Sequence, residues 1–127
     1  MTPKETINEL KKILEEYNKS SRFPYKKGVP ATEKEVEEME EQLDLEFPEE
    51  YKEFLREFGY LDVPACEGIR GKSDNKYKST KDTTLKLRKE WPDNTFPKNV
   101  ISIESDGFGN EYCLVCKGDD YGKVIFW

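Results

Sequence analysis

The chain of 127 residues contains no histidine. That removes the commonest general base near neutral pH, and with it the Ser–His and Cys–His pairs that activate a nucleophile. Catalysis would have to run on carboxylates alone, so the expectation is a protein that is not an enzyme. Cysteine is scarce too: three residues, an odd number, do not make a disulfide framework. They are expected to stay as thiols in a reducing compartment. No apolar run approaches the ~20 residues of a membrane span. The opening Met1-Thr2-Pro3-Lys4-Glu5 lacks the apolar core of a signal peptide, which points to the cytoplasm and to no membrane partner. Positive charge is also in deficit. With 21 basic against 27 acidic residues the net charge is −6, whereas a nucleic-acid binder needs a basic face to displace phosphate counterions. Nucleic acid is therefore not an expected partner; a basic protein is.

What the chain does have is rings. Seven Phe, seven Tyr and two Trp each bury a large area, roughly 1.5–3 kcal/mol per ring placed in a core. They offset a hydrophobic share of only 35% and predict one folded domain rather than disorder.

Local signals divide the chain into two halves. Thr2-Pro3-Lys4-Glu5 reads as a capping box with Pro at the first helical position. Ile7, Leu10, Leu14 and Tyr17 follow at helical spacing, with Ile13 expected to widen the stripe. Asn18 to Ser21 ends it, and Arg22 to Pro30, with two prolines and a glycine, reads as a connector. Thr32-Glu33-Lys34-Glu35 is a capping box leading to Val36, Met39 and Leu43, with Glu37, Glu38 and Glu41 turned to water. Pro48-Glu49-Glu50 starts a third helix carrying Tyr51, Phe54, Leu55 and Phe58, with Gly59 placed to end it. The second half changes period. Val100–Glu104, Tyr112–Cys116 and Val124–Trp127 read as strands joined by the Gly-containing turns 106–110 and 118–122, an antiparallel meander. A further strand is expected over 63–69 and a further helix over 82–91, with a long exposed lysine-rich loop over 71–81. The resulting class is α+β, with the N-terminal helices packed on one face of a mainly antiparallel sheet.

The run from Thr32 through Leu43 to Phe47-Pro48-Glu49-Glu50-Tyr51-Lys52-Glu53-Phe54-Leu55, ending at Gly59, resembles the signature of the SUKH superfamily, the Smi/Knr-type domains. Phe96-Pro97-Lys98-Asn99-Val100-Ile101 is similar to its Pro-preceded strand. Gly109-Asn110-Glu111-Tyr112 matches its Gly-Asn-x-Tyr hairpin, and Gly122-Lys123-Val124-Ile125-Phe126-Trp127 its closing strand. The resemblance divides the chain into an N-terminal helix and connector over 1–30 and a SUKH-like domain over 31–127. It implies an immunity protein that binds and neutralises a cognate polymorphic toxin, often a nuclease, inside the cell that makes it. The alternative it implies is a non-enzymatic interaction module regulating cell-wall or polysaccharide synthesis. Many members continue past the last strand into a C-terminal helix. The apolar stripe of residues 7–17 is expected to cover the sheet in its place.

No cofactor or metal is expected. Cys113 and Cys116, three apart in a strand, point to opposite faces and cannot readily share one ion. Gly107-Phe108-Gly109 joins two strands instead of opening a helix, so it is a hairpin turn and not a phosphate loop. The residues chosen as partner contacts are the turn acids Asp106, Asp119 and Asp120, with Phe108 and Tyr121 as aromatic anchors. Glu38 and Glu41 are second choices. Ile125-Phe126-Trp127 would form an edge strand open to pairing.

Overall fold

The computed structural model describes residues 1–64 and 68–127. Cys66, and part of the strand expected over 63–69, lie outside the described residues.

Helix α1 (Pro3–Ser20) is capped by Thr2, whose hydroxyl accepts the Glu5 N–H. Ile7 and Leu14 are buried, and Leu10 packs beside them. Ile13 does not widen the stripe: it is 63% exposed, because 100° of rotation from Leu14 carries it off the buried face. The helix packs on α3, with Lys11 paired to Glu57. It therefore does not stand in for a cover over the sheet as expected. Its stripe is spent on another helix.

Helices α2 (Glu33–Leu43) and α3 (Glu49–Phe58) carry the apolar faces read from their spacing. Both halves of the Thr32–Glu35 capping box form. Val36, Met39 and Leu43 meet Tyr51, Phe54, Leu55 and Phe58 in the main core. Phe47, Tyr51, Phe54 and Phe58 continue as a chain of ring contacts 5.3–5.8 Å between centroids. Gly59 ends α3 at φ +72°, and a Cβ there would sit 2.1 Å from the Val29 carbonyl oxygen. Conformation and space both demand glycine.

Two short strands that local sequence did not announce, β1 (Lys26–Lys27) and β2 (Leu61–Asp62), pair antiparallel and fasten the connector to the end of α3. Among the described residues the strand in this region is 61–62, ahead of the expected 63–69, with an isolated bridge between Leu61 and Ile69. The lysine-rich stretch is a loop exposed over residues 74–77, but its two ends are tied together. Gly71 and Ser79 bridge, the Gly71 N–H donates to the Lys78 carbonyl, and the Thr80 N–H to that of Gly71. Gly71 lies so close under α3 that a Cβ would fall 1.8 Å from the Gly59 oxygen, an approach only glycine permits. Helix α4 (Thr80–Glu90) follows, capped by Ser79.

Strands β3 (Val100–Ser105), β4 (Glu111–Val115) and β5 (Val124–Phe126) form the antiparallel meander in that order, with a bulge between Ser102 and Glu104. Alternation sends Ile101 and Leu114 into the main core under the helices, and Val100, Cys113 and Val115 into a smaller cluster with Phe96, Leu87 and Trp127. Helix α4 also closes the outer edge of β3, where the Ser102 N–H donates to the Thr84 hydroxyl. The result is one α+β domain.

Candidate functional site

The C-terminal end of α2 is where exposed charge gathers. Asp44 takes a left-handed conformation (φ 55°) and its N–H bonds back to the Glu40 and Glu41 carbonyls. The chain then runs extended, and alternation buries Leu45 and Phe47 while Asp44 and Glu46 face water. Glu40 locks this turn, its carboxylate accepting the Phe47 N–H at 2.7 Å and lying 3.8 Å from the Lys52 ammonium. Opposite stands the β4–β5 turn, which brings Lys117 and Tyr121 over the same hollow.

Between them is a groove of about 620 Å³. Glu41, Asp44 and Glu46 line it without an ion pair among the described residues, and Lys117 is the lone cation of its lining. The negative end of α2 adds to the same field. Tyr121 is 46% exposed. Burial, and then the carboxylate of Glu46, push its phenol above the ordinary value. It therefore stays a neutral donor on an apolar ring, suited to pack against a partner while the carboxylates meet cations.

The structure divides the residues chosen from sequence. Asp119, Asp120 and Tyr121 share the β4–β5 turn, where Asp120 pairs with Lys123 at 3.1 Å. Glu41 joins Tyr121 in the groove, whereas Glu38 lines a separate hollow beside Lys72 and Lys81. Asp106 and Phe108 sit at the β3–β4 turn, the opposite end of β4, roughly 17 Å away at 3.4 Å per residue. There the Asp106 carboxylate is occupied within the hairpin. It accepts from the Phe108 and Asn110 N–H groups and from the Asn110 side chain, which hold its pKa below the ordinary value. Phe108, 89% exposed, caps that tip. Of the groove, the sequence reading had Glu41 and Tyr121 and missed Asp44, Glu46 and Lys117. The polar–apolar alternation of Asp44 to Phe47 was the available signal for the first two.

The acidic run of residues 33–57 is partly consumed internally. Arg56 pairs with Glu33 and Glu53, and Lys52 with Glu49. The basic stretch is consumed as well: Lys72 pairs with Glu35, Lys78 with Asp62 and Arg70 with Glu111. What remains open around the groove is mainly negative.

A sequence profile of the SMI1/KNR4 family (SUKH-1) matches residues 30–127. The chain belongs to that family. The groove lies wholly inside the SUKH-1 region, and α1 outside it. The SPbeta prophage-derived uncharacterized protein YokK of Bacillus subtilis (strain 168) is 28% identical over 126 residues, an alignment covering 76% of this chain. The match spans 61% of that relative's length. Within the SUKH-1 region, Cys113 lies in the small cluster and Cys116 in the main core, on opposite faces of the sheet. Burial pushes both thiols up to about 12, so they pack as small apolar groups. Among the described residues, no three Cys, Asp or Glu side chains come together as a metal site. No described helix is long and apolar enough to cross a membrane.

Proposed function

We propose that this SUKH-1 chain is an immunity protein that acts in the cytoplasm by binding a cognate toxin and occluding it, without turnover. The observation that carries the reading is the groove at the end of α2. Glu41 and Glu46 stand there without an ion pair among the described residues, with Asp44 in the field of Arg88, beside the half-exposed ring of Tyr121. An electronegative concave surface with an aromatic anchor complements the basic cleft of a nuclease, where complementary charge speeds encounter and a buried ring supplies affinity. The prophage origin of the Bacillus relative is in keeping with a protective protein carried on mobile DNA.

The test is binding to a cognate toxin domain, sought in the reading frames adjoining this chain's gene, with rescue of cells expressing that domain as the biological readout. Glu41→Lys/Glu46→Lys should weaken binding by more than about tenfold at low salt and flatten its salt dependence, because rim charges act through the screened field. Asp119→Lys should give a smaller effect of the same sign. Unchanged affinity at every salt concentration rejects the groove, and a failure of the wild-type chain to rescue rejects the immunity role.

A further inference from the structure

A second cavity, of about 560 Å³, opens at the other end of β4. Helix α4 lines one side with Thr83, Lys86 and Leu87, the 70–78 segment contributes Arg70 and Tyr77, and Glu111 completes it. The volume lies within the range of ligand pockets, roughly 300–1,000 Å³. Arg70 and Glu111 form an ion pair with side chains only 16% and 10% exposed. One Arg70 nitrogen, Nη1, lies 2.6 Å from Glu111 Oε1 and 2.6 Å from the Ser102 hydroxyl. That hydroxyl donates to the same Oε1 at 2.6 Å, and Arg70 Nε donates to the Tyr77 carbonyl at 3.1 Å. Among the described residues, Arg70 Nη2 donates no hydrogen bond and Glu111 Oε2 accepts none.

Arg70 and Glu111 thus bring a guanidinium donor and a carboxylate acceptor to one cavity, whose three basic and three acidic lining side chains cancel. A carboxylate or phosphate entering there would meet Glu111, and an ammonium would meet Arg70. A primary carboxamide satisfies both, since one planar group carries a C=O that accepts and an NH₂ that donates. Leu87 and the ring of Tyr77 supply apolar surface for the methylenes behind it. We propose that this cleft binds the carboxamide side chain of a glutamine or asparagine presented by a partner polypeptide. The site is separate from the acidic groove and does not depend on it.

The experiment is an NMR titration of the full ¹⁵N-labelled chain with three capped amino acids: the N-acetyl N-methylamides of glutamine, glutamate and methionine. All share the same backbone amides, so differences report the side chain. The glutamine probe should shift the amides of Arg70, Thr83, Leu87 and Glu111 and bind at least about tenfold tighter than the other two, because glutamate sets a second carboxylate against Glu111 and methionine offers neither the donor nor a comparable acceptor. Tyr77→Ala, at a side chain 74% exposed, should weaken that binding without unfolding the chain. Glu41→Lys/Glu46→Lys should leave it unchanged, which separates failure here from failure of the groove. No shift at these amides, or equal or tighter binding of the glutamate or methionine probe, overturns the proposal.

Discussion

Tyr51 of α3 and Thr80 at the start of α4 hold their hydroxyls 2.7 Å apart in the interior. Tyr51 also donates to the Arg70 carbonyl at 2.8 Å. A phenol has one proton, so the Thr80 hydroxyl donates to Tyr51 and the chain of bonds has a single direction. Burial pushes the phenol far above its ordinary pKa, so the proton stays on. Tyr51→Phe should leave the Arg70 oxygen and the Thr80 hydroxyl without their partner and cost about 1–3 kcal/mol, read from the urea midpoint by circular dichroism. Adding Thr80→Val should cost less than the sum of the two single losses.

Arg70 and Glu111 make the second long-range polar tie. Glu111→Ala strands a largely buried guanidinium and should cost about 3–5 kcal/mol, whereas Arg70→Met/Glu111→Leu should recover much of that loss. Chemical denaturation of the three chains checks it. A double variant no more stable than the single one would show that the pair is not the source of the loss.

Rings that look alike in sequence should behave oppositely. Phe47, 1% exposed, sits in the core, and Phe108, 89% exposed, on a turn. Phe47→Ala should cost about 3–5 kcal/mol and Phe108→Ala less than about 0.5, by the same denaturation measurement.

The cysteine pair gives a kinetic prediction. Thiols pushed up to about 12 by burial hold little thiolate at pH 8. In a Cys66→Ser background, Cys113 and Cys116 should react with a disulfide reagent only as fast as the protein opens. Stopped-flow labelling in rising urea should track the unfolding rate; fast labelling of the native chain would contradict their burial.

Acid should destabilise the protein. Hydrogen bonds from Arg56 to Glu33, from Lys72 to Glu35 and from Asn110 to Asp106 are the leading causes that hold these carboxyls below their ordinary values of 4.5, 4.5 and 3.8. The unfolded chain therefore binds more protons in this range. The stabilisation is present above those ordinary values and is lost as pH falls through the lower native ones. Urea midpoints should decline below about pH 4.5, and less steeply in ~0.5 M salt because all three groups face solvent.

How much of this was legible in sequence follows from the range of each interaction. Thr32 and Glu35 are three residues apart, so their capping box is written in the local order of the chain. The same holds for the stripe of α3, for Gly59 and for the strands on either side of Gly107 and Gly122. The family resemblance drew on these local blocks. The two-residue strands β1 and β2 were invisible, since Lys26-Lys27 carries no apolar alternation and takes its conformation from pairing with Leu61-Asp62. The lysine-rich stretch was half legible for a related reason: its composition reads as solvated loop, as residues 74–77 are, yet Gly71 and Ser79 at its ends are buried by contacts that composition does not encode.

The amino-acid order alone determined the class of fold, the positions of the helices and of the three meander strands, the lack of imidazole and the excess of negative charge. These depend on composition and on neighbours within a few residues. Only the folded chain decided which acids remain free, since Arg56 reaches Glu33 across 23 positions and Arg70 reaches Glu111 across 41. It also decided that Asp106 serves its own hairpin and that Tyr121 meets the end of α2. Ion pairs and grooves form between surfaces that chain closure brings together, and the free energy of such contacts is set by distance in space.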